Sequence, residues 1–172
     1  MTHELYDDSR ITAMGLFTEA YAGVSGRLAA QYAEHGLSTV EFEVLIRLSR
    51  SPNQQLRMTD LAAQTSLSTS GVTRVVDRLE RGGLVRRTAC PTDRRSSYTV
   101  LTRSGQTRLS QVLPGHIELI DQWFTGLLPG DRLAEMLEAL RTIRDAVRPE
   151  ATAGAAGAEP EASPATGRSR GR

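Results

Sequence analysis

Residues 66–105 read SLSTSGVTRVVDRLERGGLVRRTACPTDRRSSYTVLTRSG, and the fold is decided by how that string divides. Val72, Val75, Val76 and Leu79 recur at spacings of three and four, so the spacing predicts a helix from Thr69 to Arg81 with one apolar stripe. At about 100° per residue, Ser70, Arg74, Asp77 and Arg81 fall opposite that stripe, with Thr73 and Arg78 on its flanks. The exposed face is therefore hydrogen-bonding and cationic. Gly82-Gly83 supplies a left-handed stop.

Immediately upstream, Thr59 is expected to cap a short helix from Asp60 to Thr65, with Leu61 and Ala62 turned inward. A tight Ser66-Leu67-Ser68 connection joins the two, which is a helix-turn-helix pattern. A helical hairpin without function fits the same spacing. Downstream, Leu84 to Ala89 and Ser97 to Leu101 read as strands joined by a turn-rich link that carries Arg94 and Arg95 at its tip. A cationic helix sized for a major groove, followed by a hairpin with an arginine tip, describes a winged helix-turn-helix able to straddle one face of a duplex.

Working outward, Met14, Phe17, Tyr21, Val24 and Leu28 mark an amphipathic helix from Ser9 to about Glu34, stopped by Gly36. Ser38 with Glu41 three residues on forms a capping box that starts a second helix at Thr39, with Phe42, Val44, Leu45 and Leu48 inward and Ser51-Pro52-Asn53 at its end. After Leu101-Thr102 a helix carries Leu109, Leu113, Ile117, Ile120 and Phe124 on one face, and Pro114-Gly115 predicts a bend or restart near Leu113. Pro129-Gly130-Asp131 leads into a last helix, Arg132 to about Arg148, with Leu133, Met136, Leu140, Ile143 and Val147 in its stripe. One winged domain is too small to cover all these stripes. Packing of the N- and C-terminal helices against a second copy, a homodimer, covers them; a bundle within one chain is the alternative. The fold class is thus mainly α: a winged helix-turn-helix DNA-binding domain over 37–102, a helical dimerisation region over 1–36 and 103–148, and an Ala-, Gly-, Pro- and Arg-rich tail over 149–172 expected to be disordered.

Charge distribution points the same way. The 172 residues carry 21 basic and 20 acidic groups, a net charge of only +1. Residues 67–108, however, hold nine arginines against Asp77, Glu80 and Asp93, a local charge of +6 inside an otherwise acidic chain. Such a local field is the electrostatic footprint of a polyanion-binding surface, where a merely solvated arginine-rich face is the plain alternative. With 39% apolar and 24% charged residues the composition is that of a soluble globular domain. No signal-peptide or membrane-helix pattern is found, and the lone cysteine, Cys90, excludes a disulfide framework within the chain, so a cytoplasmic protein without membrane association is expected.

With those residues in place, Leu84-Val-Arg-Arg-Thr, Asp93-Arg-Arg and Leu101-Thr-Arg-Ser-Gly105 resemble the wing of the multiple-antibiotic-resistance regulator (MarR) family, and the order of elements over 9–148 is similar too. The resemblance implies a dimeric transcription factor, often a repressor, that binds a pseudo-palindromic operator and is often released by a small ligand. It also implies that the helix over Ser68–Arg81 enters the major groove, that Arg95 enters the minor groove, that Asp93 braces the wing and that Arg94 sits near phosphate. On chemistry, Arg74 and Arg78 carry forked donors suited to guanine or phosphate, Thr69, Ser70 and Thr73 suit phosphate or bases near the helix start, and Asp77 shares their face. Arg95 suits a narrow A·T minor groove.

Other candidates carry less. Arginines flank Cys90, which favours thiolate, but relatives that sense peroxide hold their cysteine near the first helix, and none lies in residues 1–36. His3, His35 and His116 have no metal-ligand spacing. No phosphate loop, nucleophile elbow or zinc-hydrolase helix occurs, so neither an enzyme nor a cofactor is expected. Tyr21, Phe42, His116 and Trp123 are candidate lining for an effector pocket. A winged-helix module that docks a protein is the competing function, disfavoured by the arginine density.

Overall fold

Asp8 caps the first helix, α1 (Ser9–Glu34), through the Arg10 amide, and Gly36, at φ 69°, turns the chain out of it. The computed structural model describes residues 6–65, 67–89 and 97–152. Helix α2 (Thr39–Ser49) opens on the expected capping box: Ser38 Oγ accepts from the Glu41 amide and Glu41 Oε2 accepts from the Ser38 amide. A left-handed pair, Asn53 and Gln54, then feeds strand β1 (Gln55–Arg57) and helix α3 (Met58–Thr65). Helix α4 (Thr69–Arg81), strands β2 (Val85–Ala89) and β3 (Ser97–Leu101), helix α5 (Arg103–Trp123) and helix α6 (Gly130–Val147) complete the order.

The sheet runs β1-β3-β2, antiparallel throughout, with Leu56 opposite Thr99 and Arg87 opposite Thr99 on the other side. The core lies between α2, α3, α4 and this sheet, closed by the start of α5. It is built from Val44, Leu45, Leu48, Leu61, Val72, Val76 and Val112, all at 0% exposure, with Leu56, Leu79 and Val85 beside them. Each such side chain contributes roughly 1.5–3 kcal/mol of burial. The apolar stripe of α4 is thus fully spent inward, which leaves its opposite face to solvent.

Thr102 joins wing to helix. Its hydroxyl donates to the carbonyls of Gly83 (2.7 Å) and Leu84 (3.0 Å) and accepts from the Gly105 amide (3.0 Å), capping α5. Gly105 is required there: a Cβ would lie 2.2 Å from the Leu84 carbonyl oxygen.

Four expectations are corrected. Strand β1 extends the hairpin to three strands. Helix α3 begins at Met58, so Thr59 lies inside it, and its hydroxyl donates to the Asp60 carboxylate (3.4 Å) rather than capping the helix. Of the bend or restart expected near Leu113, the restart does not occur, because helix α5 runs through Pro114 as one element. Ser110, whose carbonyl proline leaves without a donor, is exposed, and Gln31 Nε2 from α1 donates to Val112 O (3.0 Å) in the space that Gly115 leaves open. The expected tail starts later than Pro149, because Pro149–Thr152 form a 3-10 turn with Ala151 buried; residues 153–172 lie outside the described residues.

Ile11, Met14, Leu16, Phe17 and Tyr21 on α1 and Ile143 and Val147 on α6 stay exposed in the single chain, and no residue of α6 is buried. Among the described residues no helix is long and apolar enough to cross a membrane.

Candidate nucleic-acid interface

Helix α4 starts at Ser68, whose hydroxyl accepts from the Gly71 amide (3.1 Å), and ends at Gly82. Ser68, Thr69, Ser70, Thr73, Arg74, Asp77, Arg78 and Arg81 are all exposed, on the side away from Val72, Val75, Val76 and Leu79. Some of their hydrogen-bonding capacity is used locally. Thr73 Oγ1 donates to the Thr69 carbonyl (2.8 Å), the Ser68 and Ser70 hydroxyls hydrogen-bond each other (3.2 Å), and Arg81 Nε donates to the Asp77 carbonyl (3.3 Å).

Both flanks of the face are braced by charge. On one side Arg78 Nε donates to Glu41 Oε1 at 2.9 Å, which ties α4 to the capping box of α2. Burial pushes the Glu41 carboxyl up, but the Ser38 amide, the Arg78 guanidinium and the Ser38 hydroxyl outweigh it and hold the group below its ordinary 4.5. On the other side Arg87, on β2, donates to Asp77 Oδ1 (2.6 Å) and to Glu80 Oε2 (2.6 Å), while its own amide donates to Glu80 Oε1 (2.8 Å). Partial burial disfavours the charged Arg87, yet the two carboxylates raise its pKa further above its ordinary value. Charge-assisted pairs of this geometry are the stronger class of hydrogen bond. Between the flanks stands Arg74, which has no hydrogen-bond or ion-pair partner among the described residues.

The structure therefore brings Ser68, Thr69, Ser70, Thr73, Arg74, Asp77 and Arg78 onto one exposed face, but gives them unequal freedom. Arg78 is 47% exposed and engaged by Glu41, and Asp77 is engaged by Arg87. Cys90, Asp93, Arg94 and Arg95 lie outside the described residues; β2 and β3, which carry that loop, are described. Sequence reasoning missed the bracing residues Glu41, Glu80 and Arg87. Each was legible as a charge, but pairing across 37, 7 and 10 residues is a property of the folded chain.

Of the four pocket candidates, the structure joins two. Phe42 and His116 have ring centroids 4.7 Å apart, and Tyr32, which the sequence reading missed, stacks on Phe42 at 4.1 Å and hydrogen-bonds His116 Nδ1 at 2.9 Å. Burial, with the Glu43 charge adding to it, pushes the Tyr32 phenol up to about 12, so it keeps its proton. Burial lowers the His116 pKa, which favours the neutral ring. Tyr21 is instead 66% exposed on α1, and Trp123 lies beneath the Arg27 guanidinium at 4.2 Å. A surface hollow of about 490 Å³ lies elsewhere, among Gly82, Leu84, Arg103, Ser104, Thr107, Arg108 and Gln111, and none of the four lines it.

Known proteins are similar to this chain in sequence and fold. Residues 35–96 match the model of the MarR family. The chain is 34% identical over 117 residues to YkoM, an HTH-type transcriptional regulator of Bacillus subtilis, covering 68% of this chain and 75% of that one. The structure of AbsC, a MarR family transcriptional regulator from Streptomyces coelicolor, superposes with a TM-score of 0.77 at 32% identity, covering 83% of this chain and 96% of that one. Another MarR family regulator from the same organism, solved in complex with DNA, superposes at 0.75 with 29% identity, over 80% of this chain and 87% of that one.

Proposed function

The chain belongs to the MarR family of transcriptional regulators, and from that premise we propose that it is a sequence-specific repressor acting in the cytoplasm as a homodimer on a pseudo-palindromic operator. The observation that carries the proposal is the exposed face of α4, with Arg74, which has no partner among the described residues, at its centre and an ion-pair brace on either flank. A buried apolar stripe and two braces fix the helix without consuming its central guanidinium, which is the preorganisation that a base- or phosphate-reading side chain needs. In this reading Arg74 contacts a guanine edge or phosphate, Ser68, Thr69, Ser70 and Thr73 contact the backbone near the helix start, and Arg94 and Arg95 extend the contact along the wing, supported by Asp93. Arg78 and Asp77 act mainly as braces, and Arg78 adds positive field at the rim.

The exposed stripes of α1 and α6 support the homodimer, because Ile11, Met14, Phe17, Tyr21, Ile143 and Val147 are large apolar side chains that packing against a second copy would cover. A small effector is part of the same reading. Tyr32, Phe42 and His116 join α1, α2 and α5, so a ligand that pries them apart favours one separation of the two copies of α4 over another. Only such a differential affinity shifts DNA binding. The activity is binding rather than catalysis. Genomic footprinting followed by a competition gel shift tests it. The expected result is two half-sites about 10–10.5 bp apart, outcompeting random DNA by ~10³-fold or more. Equal competition by random DNA refutes it.

A further inference from the structure

Residues 148–152 leave the last helix and come down on the helix-turn-helix. Arg148, directly after α6, donates from Nη2 to the carbonyls of Ala63 (3.0 Å) and Gln64 (3.1 Å). Those carbonyls belong to the last turn of α3, where helix carbonyls have no amide of their own to accept from and where a cation meets the negative end of the helix. Three residues on, Ala151 is buried to 5% exposure, and its carbonyl accepts from Arg47 Nη1 on α2 at 3.3 Å. The Ala151 amide closes the turn on the Arg148 carbonyl (3.0 Å). Two guanidiniums therefore clasp the segment in opposite directions, Arg148 reaching from it into α3 and Arg47 reaching from α2 onto it.

The placement matters because of what each end carries. Helix α6 buries none of its own residues, so its stripe is free to pack on a second copy, and its far end is fastened to the body through this clasp. Helix α3 leads through the connection at 66–68 directly into α4. Any motion of α6 relative to α3 is thus a motion of the dimer-forming helix relative to the DNA-reading one.

We propose that Arg148 is a positioning residue for DNA binding: by fastening α6 to the last turn of α3 it sets the separation of the two copies of α4 in the homodimer. The inference rests on the regulator reading above. A purely structural arginine would change stability alone, whereas a positioning one changes a distance and the preference among operator spacings.

The test uses the full chain with Cys90→Ser and Arg81→Cys, spin-labelled at position 81, and reads the label-to-label distance in the dimer without DNA. The expected result is a single narrow distribution, kept by a chain truncated after Thr152, and broadened at least twofold by Arg148→Met and by truncation after Val147, with dimer mass and helicity unchanged. Arg148→Lys, which keeps a donor and reads the same quantity should the methionine variant not fold, recovers part of the narrowing. On operators lengthened or shortened by one base pair between half-sites, Arg148→Met reduces discrimination from tenfold or more to under threefold. A distribution as narrow for Arg148→Met as for the parent, or undiminished discrimination, overturns the proposal. A parent dimer with the narrow distribution and the Arg148 effect but no preference for any DNA sequence supports the positioning role and refutes the regulator reading.

Discussion

Replacing Gly105 with alanine sets two effects of opposite sign against each other. Gly105 lies in the first turn of α5, so alanine there gains up to about 1 kcal/mol from helix propensity. The added Cβ, however, stands 2.2 Å from the Leu84 carbonyl oxygen and 2.6 Å from Leu101 Cδ1, where ordinary contact begins at 3.4 Å. The leucine side chain can rotate; the carbonyl cannot leave without cost. It accepts from both the amide (3.1 Å) and the hydroxyl (3.0 Å) of Thr102, so a retreat of about 1 Å loosens two hydrogen bonds as well as the joint between wing and α5. Overpacking of this kind costs about 1–3 kcal/mol and each hydrogen bond about 0.5–1.5 kcal/mol. The clash wins, and Gly105→Ala is expected to be destabilised by about 2–4 kcal/mol. Urea unfolding followed by circular dichroism at a fixed protomer concentration measures it as a lower midpoint with an unchanged slope. A loss under about 1 kcal/mol, or any stabilisation, refutes the close junction described for Thr102, Leu84 and Gly105.

Further outcomes are expected. In Glu41→Gln the brace on Arg78 loses its charge, and stability becomes less dependent on pH in acid: the folded pKa lies below 4.5, so the contribution of Glu41 is complete above 4.5 and disappears as pH falls through the folded value. Midpoints across a pH series for parent and variant check this. Neutral His116 behaves in the corresponding way near 6.5: its lowered folded pKa makes its contribution complete above 6.5 and diminishing as pH drops towards the folded value, and His116→Phe removes that part of the slope. Arg87→Met leaves Asp77 and Glu80 unpaired beside the bound polyanion. Gel shifts at constant salt are expected to show about tenfold weaker operator binding, roughly 1.4 kcal/mol, part of which is recovered when Asp77→Asn is added.

What the chain reveals before folding is local. The stripe Val72, Val75, Val76 and Leu79 and the capping box of Ser38 and Glu41 are set by spacing along one helix, and both stand as read. Features that depend on a distant partner were not legible. Pro114 signals a bend or restart; that α5 runs on as one helix, with Gln31 of α1 seated against Val112 and Gly115, is a property of the folded chain. Strand β1 has three residues, too few for an alternation to be seen, and exists through pairing with β3. The 149–152 segment reads as tail because alanine and glutamate hold no core; in the folded chain it is held by Arg47, and Arg148 beside it reaches across to α3. For the site, periodicity placed every α4 residue on the correct face but said nothing of which guanidinium is paired, so Arg74 and Arg78 looked equivalent. In the same way the stripe read along α1 took in Tyr21, which is left in solvent, and stopped short of Tyr32, which packs on Phe42.

Whether the exposed face of α4 reads DNA is decided by the affinity of Arg74→Ala for one footprinted operator and for random DNA, titrated side by side at several salt concentrations. The expected result is a loss of about 1–3 kcal/mol on the operator, with specificity relaxed at one base pair if the guanidinium reads a base, or with the salt slope reduced by about one if it holds phosphate. Operator affinity unchanged at every salt concentration would contradict the claim that this face of α4 is the DNA-reading surface.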